Sequence, residues 1–162
     1  MIDKPKTRKY LRAMRRNFGA PLVVVLLALV LALPGSGPLA AAVVEEANGG
    51  KAGEILDLKP LLVPGRVTVI DFYSPFCPPC RALAPLMEQL AAKRADLAIK
   101  KVNINRPGVQ GIDWRSPLAQ QYSIRTVPFL AIFNPRGKLV AKGQAAMQQM
   151  QHWLKEAGLL SP

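Results

Sequence analysis

Cys77 and Cys80 are the only cysteines in the 162 residues, and they stand as Cys-Pro-Pro-Cys. Two thiols one helical turn apart are close enough to close a disulfide. If Cys77 begins a helix, the exposed N–H groups and the positive end of the helix dipole favour thiolate over thiol. A free cysteine titrates near ~8.5, and such a position can bring it to roughly 7 or lower. The pair then reads as a redox centre, with Cys77 attacking and Cys80 resolving. Two other readings stay open. Half of a structural zinc site would need further ligands, and His152 is the sole other candidate of the usual nitrogen or sulfur type. A purely structural disulfide fits an exported protein.

The elements that must position this pair follow from the pattern around it. Val67-Thr68-Val69-Ile70-Asp71-Phe72-Tyr73 is β-branched and apolar, which reads as a buried strand. It turns at Ser74-Pro75 and hands Cys77 to a helix whose apolar face is Leu83, Leu86, Met87, Leu90 and Ala91. Pro78 and Pro79 fall in the first turn, where missing N–H groups cost little. Asp71 is a carboxylate on a buried strand, so desolvation raises its proton affinity and makes it the candidate base for Cys80. Cys77, beside Phe76 at the helix start, is expected on the exposed rim.

Further along, Leu97 to Ile104 reads as the next strand, and residues 106–114 as a Pro/Gly loop on which Trp114 folds back onto the core. Ser116-Pro117 caps a short helix through Tyr122. Pro128 heads a buried run, Phe129 to Phe133. Asn134-Pro135-Arg136-Gly137 joins that run to Lys138–Ala141 as a hairpin. A last helix spans about Ala145 to Ala157, with His152 on its polar side. Upstream, Ala52 to Leu62 carries Ile55, Leu58 and Leu62 at helical spacing, interrupted by Pro60, and reads as one short helix or turn. Residues 43–51, with Glu45-Glu46-Ala47-Asn48-Gly49-Gly50, read as a linker.

Asp71-Phe72-Tyr73, Cys77-Pro78-Pro79-Cys80-Arg81, Pro85, Pro128 and Gly143 together resemble the thioredoxin family over about residues 52–160. The resemblance implies an α/β thioredoxin fold, a central mixed β-sheet flanked by helices. It implies thiol–disulfide exchange through Cys77 and Cys80, with Asp71 as the base behind Cys80 and Lys101 as the lysine that tunes it. It implies a cis bond at Pro128, facing the cysteines, which presents the Thr126-Val127 backbone to an extended substrate segment. Phe76 and Pro78 would supply an apolar surround. Pro78 departs from the family's usual glycine, Phe76 from its tryptophan, and loop 106–115 is longer. Asp71 and Lys101 favour the reducing direction. A disulfide oxidase or isomerase, and a non-catalytic binding module with a structural disulfide, are the alternatives. No metal or cofactor is expected beyond the redox disulfide itself.

The formal net charge of +12 is unevenly placed. Residues 1–19 hold seven basic residues against Asp3 alone, and 20–42 hold an uncharged apolar segment. Its continuous run, Ala20 to Leu33, is fourteen residues, short of the about 20 that span a bilayer. It suits an export signal cleaved near Ala40-Ala41-Ala42, or an anchor if extended through Val44. Either case keeps the basic flank in the cytoplasm. Residues 52–162 then lie in an oxidising space such as a bacterial periplasm, soluble or tethered to the inner membrane. Basic residues are not interleaved with aromatic ones, so no nucleic-acid partner is expected. Protein substrates bearing disulfides or thiols, a membrane thiol-electron carrier as donor, and a monomeric state complete the expectation.

Overall fold

The computed structural model describes residues 44–161. The basic and apolar segments at 1–42 lie outside the described residues. Among those described, no helix is long and apolar enough to cross a membrane.

Five strands form one sheet: β1 (Val44–Glu46), β2 (Val67–Tyr73), β3 (Leu97–Asn103), β4 (Phe129–Phe133) and β5 (Leu139–Lys142). Their spatial order is β1-β3-β2-β4-β5. β1, β3 and β2 run parallel, and β4 and β5 are antiparallel additions, so the sheet is mixed as expected. Helices α1 (Pro78–Lys93), α2 (Pro117–Gln121) and α3 (Gln144–Glu156) are the α-helices among the described residues.

Strand alternation divides the core in two. On one face Val69, Leu97, Ile99, Leu130 and Ile132 pack with Met87 and Leu90 of α1 and Met150 and Leu154 of α3. On the other, Ile70, Phe72, Val102 and Ile104 pack with Leu118 of α2 and Ile124. β2 is central, and its interior residues are buried from Thr68 to Phe72. Asp71 follows Val69 by two positions, so it shares the face covered by α1 and α3.

Ser116 caps α2 by accepting the Ala119 N–H at 3.1 Å. Trp114 packs on the second core, as the sequence implied. His152 lies exposed on α3, 3.3 Å from Glu156. Gly143 has φ +59°, and a Cβ there would stand 3.3 Å from the Phe129 ring, so a larger residue would be strained and would press on that ring.

One expectation needs correction. The stretch read as a linker contains β1, an edge strand paired in register Val44↔Ile99, Glu45↔Lys100 and Glu46↔Lys101. Its acids meet consecutive lysines, with Lys100 bonded to Glu45 and Lys101 near Glu46. Asn48 then ties the segment down, donating to the Asn103 carbonyl at 2.8 Å and accepting its N–H at 2.9 Å. The short helix or turn expected between Ala52 and Leu62 is a 3₁₀ turn, Lys59–Leu61. Ile55 is 74 % exposed, while Leu56, Leu58, Leu61 and Leu62 pack against the core. Gly53 and Pro60 break the helical path there.

Candidate active site

The site lies where β2 ends and α1 begins. Ser74, fully buried, shapes the turn: its Oγ accepts the Phe76 N–H and its carbonyl accepts the Cys77 N–H, both at 3.1 Å. Arg81 reaches back from α1 and donates to the Pro75 carbonyl at 2.9 Å. The chain is therefore held from both sides as it enters the helix.

Cys77 is the N-cap of α1, in extended conformation. Pro78 and Pro79 carry no N–H, so the first free donor of the helix is Cys80 N–H. It points at Cys77 Sγ, 3.1 Å away. That bond and the helix dipole both stabilise negative charge on Cys77 rather than on Cys80. The two sulfurs are joined in a disulfide, with Cα atoms 5.3 Å apart.

The expectation that Cys77 lies exposed is not met. It is 1 % exposed and Cys80 3 %. The Val127 carbonyl oxygen sits 3.6 Å from Cys77 Sγ and covers it from the β4 side. What the rim presents instead is apolar: Phe76 is 40 % exposed, and Pro75, Pro78 and Pro79 are exposed beside it. The Val127–Pro128 peptide bond is cis. Thr126 is exposed, with Val127 and Pro128 half-buried. Beside them an apolar groove of about 370 Å³ runs between α1 and α3, lined by Pro79, Leu83, Leu86, Pro128, Met147 and Leu160.

Asp71 is 1 % exposed, and its Oδ1 has no hydrogen-bond partner among the described residues. Burial pushes its pKa up from 3.8 to about 7; the Lys101 charge pulls it down and the Glu46 charge pushes it up, both by less than burial. Desolvation outweighs the lysine because the carboxyl is enclosed while the ammonium stands off to one side. Asp71 and Lys101 are register partners on β2 and β3. The Lys101 Nζ, however, lies 3.9 Å from Glu46 and 4.7 Å from the Tyr73 ring centre. Tyr73 Oη donates to the same Glu46 oxygen at 2.9 Å. Burial first, and then this bond to Glu46, raise the Tyr73 pKa above its usual value.

The structure thus gathers Cys77, Cys80, Phe76, Pro78, Thr126, Val127 and Pro128 around the helix start. Asp71 and Lys101 lie on the adjoining strands, on the sheet face that α1 covers. Glu46 and Tyr73 were missed as site residues. The signal was available in the two acids of Glu45-Glu46 matching Lys100-Lys101, but a three-residue strand leaves no periodicity to reveal that they pair.

A mixed sheet that delivers a Cys-x-x-Cys disulfide to a helix N-terminus, with a buried acid on the delivering strand, defines a thiol–disulfide oxidoreductase. The Thioredoxin family model matches residues 61–156. A thioredoxin-like protein of Fusarium culmorum is 35 % identical over 95 residues, covering 57 % of this chain and 72 % of that one. A thioredoxin of Acidithiobacillus ferridurans is 33 % identical over 92 residues, covering 56 % and 77 %. The crystal structure of spinach chloroplast thioredoxin F, short form, superposes with a TM-score of 0.50 at 21 % identity, covering 75 % of this chain and 98 % of that one, and shares the fold. The chain belongs to the thioredoxin family.

Proposed function

We propose that the protein reduces disulfides in protein substrates outside the cytoplasm, using Cys77 and Cys80 as its redox couple and no other cofactor. The observation that carries the direction is Asp71: a buried carboxyl whose pKa of about 7 suits it to accept a proton at neutral pH. The reduced enzyme begins with a Cys77 thiolate. It attacks one sulfur of the substrate disulfide, forming a mixed disulfide and expelling the other substrate sulfur as thiolate. Asp71 takes the Cys80 proton. The Cys80 thiolate then attacks Cys77 Sγ, the Cys77–Cys80 disulfide forms, and the second substrate sulfur leaves as thiolate. Two electrons pass to the substrate, and protons from Cys80 and solvent complete its two thiols.

The apolar rim and the Thr126-Val127 backbone suit an extended segment added at the edge of the site. Main-chain pairing and shallow apolar contact would give broad substrate tolerance. Because Cys77 is covered by the Val127 carbonyl in the disulfide state, the substrate strand must displace or replace that contact to reach the sulfur. The export assignment rests on the basic residues of 1–19 followed by the apolar segment 20–42. A reductant in an oxidising space needs electrons from a membrane thiol carrier, which would recharge the disulfide.

Insulin reduction with dithiothreitol tests the activity: Cys77→Ser should abolish turnover, and Cys80→Ser should trap substrate as a mixed disulfide. Unchanged turnover in Cys77→Ser ends the reading. A reduction potential well above about −180 mV would reverse the direction to oxidation.

A further inference from the structure

β3 lies between β1 and β2, so Lys101 is flanked by two carboxylates: Glu46 in register from β1 and Asp71 in register from β2. All three stand on the face covered by α1 and α3, since Val44, Val69, Leu97 and Ile99 pack there and the side chains alternate. The lysine is not shared equally. Its Nζ lies within 3.9 Å of Glu46 Oε2, and no ion pair with Asp71 forms among the described residues. Tyr73 fixes the arrangement, donating to Glu46 Oε2 at 2.9 Å while its ring supports the ammonium at 4.7 Å.

We propose that Glu46 is a positioning residue for proton transfer at Asp71: it anchors the Lys101 ammonium toward β1 and away from the Asp71 carboxyl. The inference rests on the reading of Asp71 as the base behind Cys80. Were the ammonium free to swing to Asp71, the close opposite charge would favour the carboxylate strongly and weaken it as a proton acceptor. Glu46 opposes this twice, by holding the cation and by adding a negative charge on the same face. The other groups on this face do not substitute for it. Lys101 and Glu46 are the charges that act on Asp71. Tyr73 on its own strand stays protonated, α1 brings Met87 and Leu90, β4 places Leu130 opposite, and α3 offers Ala146 and Met150.

The test is a carboxyl ¹³C NMR titration of Asp71 in the oxidised full chain at low salt. Glu46→Gln keeps an acceptor for Tyr73 Oη and removes only the charge. It should lower the Asp71 midpoint by roughly half a unit to one unit, a threefold to tenfold loss of proton affinity. Glu46→Asp should return most of the shift. In a Lys101→Met background the effect of Glu46→Gln should shrink, because there is no ammonium left to release. An unmoved or raised midpoint in Glu46→Gln overturns the proposal, and so does a shift of equal size in both backgrounds. The pH profile of insulin reduction separates this from the reading beneath it. A midpoint that moves while the acid limb of the profile stays put supports the Glu46–Lys101–Asp71 coupling and ends the role of Asp71 as base.

Discussion

Replacing Asp71 by Asn should trade catalysis for stability, and the pH dependence of the trade is fixed by one number. The folded carboxyl binds its proton with a pKa of about 7, against 3.8 for an unperturbed aspartate. Below pH ~4 the group is protonated folded and unfolded, and its burial carries no ionic penalty. Between about pH 4 and 7 the unfolded chain releases the proton while the folded chain keeps it. The wild-type protein therefore loses stability as pH rises, by up to ~1.4 kcal/mol per unit. Above pH ~7 the penalty is complete and amounts to roughly 4 kcal/mol. The Asp71→Asn variant has no such dependence. Its amide carries a separate, pH-independent cost of about 1–3 kcal/mol if it stays unpaired. The diagnostic is therefore the slope, not the offset. Urea unfolding of the oxidised protein at half-unit steps from pH 4 to 8 should show the variant gaining on wild type up to about pH 7 and then levelling. A difference that stays flat, or that falls with pH, would refute the argument that burial dominates at Asp71. In the same variant insulin reduction at pH 7 should drop by roughly a hundredfold, with mixed disulfide accumulating, since the proton acceptor for Cys80 is gone.

Two further predictions concern the frame of the site. Gly53 has φ +77°, and a Cβ would stand 2.7 Å from the Arg106 backbone nitrogen. Gly53→Ala should cost about 3 kcal/mol in urea unfolding, whereas Gly49→Ala, with open space around it, should stay within about 0.5 kcal/mol. Asp113, buried, accepts from Arg106 Nε at 2.7 Å and from its terminal nitrogen at 3.0 Å, closing loop 106–114. The hydrogen bond from the Arg106 guanidinium holds the Asp113 carboxyl below its usual range. Asp113→Asn should lower the melting temperature at pH 7, and the difference should vanish as pH falls through the depressed carboxyl pKa, where wild type loses the same ion pair.

The parts of the fold legible in the sequence were those where one periodicity ran long enough. β2 and α1 were plain from a seven-residue apolar run and an i, i+3, i+4 face, and the hairpin from Asn134 to Gly137 by its turn residues. β1 was hidden because three residues with two exposed acids pair through charge and backbone, not through an apolar pattern. Between Ala52 and Leu62 the short turn and the inward Leu58 and Leu62 were legible, but the exposure of Ile55 was not, because helical spacing has no force in a turn. At the site, the identities of Cys77, Cys80 and Asp71 were readable. The burial of Cys77 was not, because the residue covering it is Val127, fifty positions away.

The proposed mechanism sets two opposite electrostatic demands on neighbouring sulfurs. Cys77 must be ionised at rest, and it receives the helix dipole and the Cys80 N–H. Cys80 must stay protonated until the mixed disulfide exists, and no N–H is directed at it among the described residues; its route to ionisation is an acid–base partner held near neutrality. Such a partner needs burial to raise its proton affinity, yet the same burial makes any stray cation dominant. The sheet meets this by placing the cation one strand over and tethering it on the far side, at an edge strand built from the acids that looked like a spacer. On the proposed mechanism, stability is given up at β2, in the middle of the sheet, to keep one carboxyl able to exchange its proton at neutral pH.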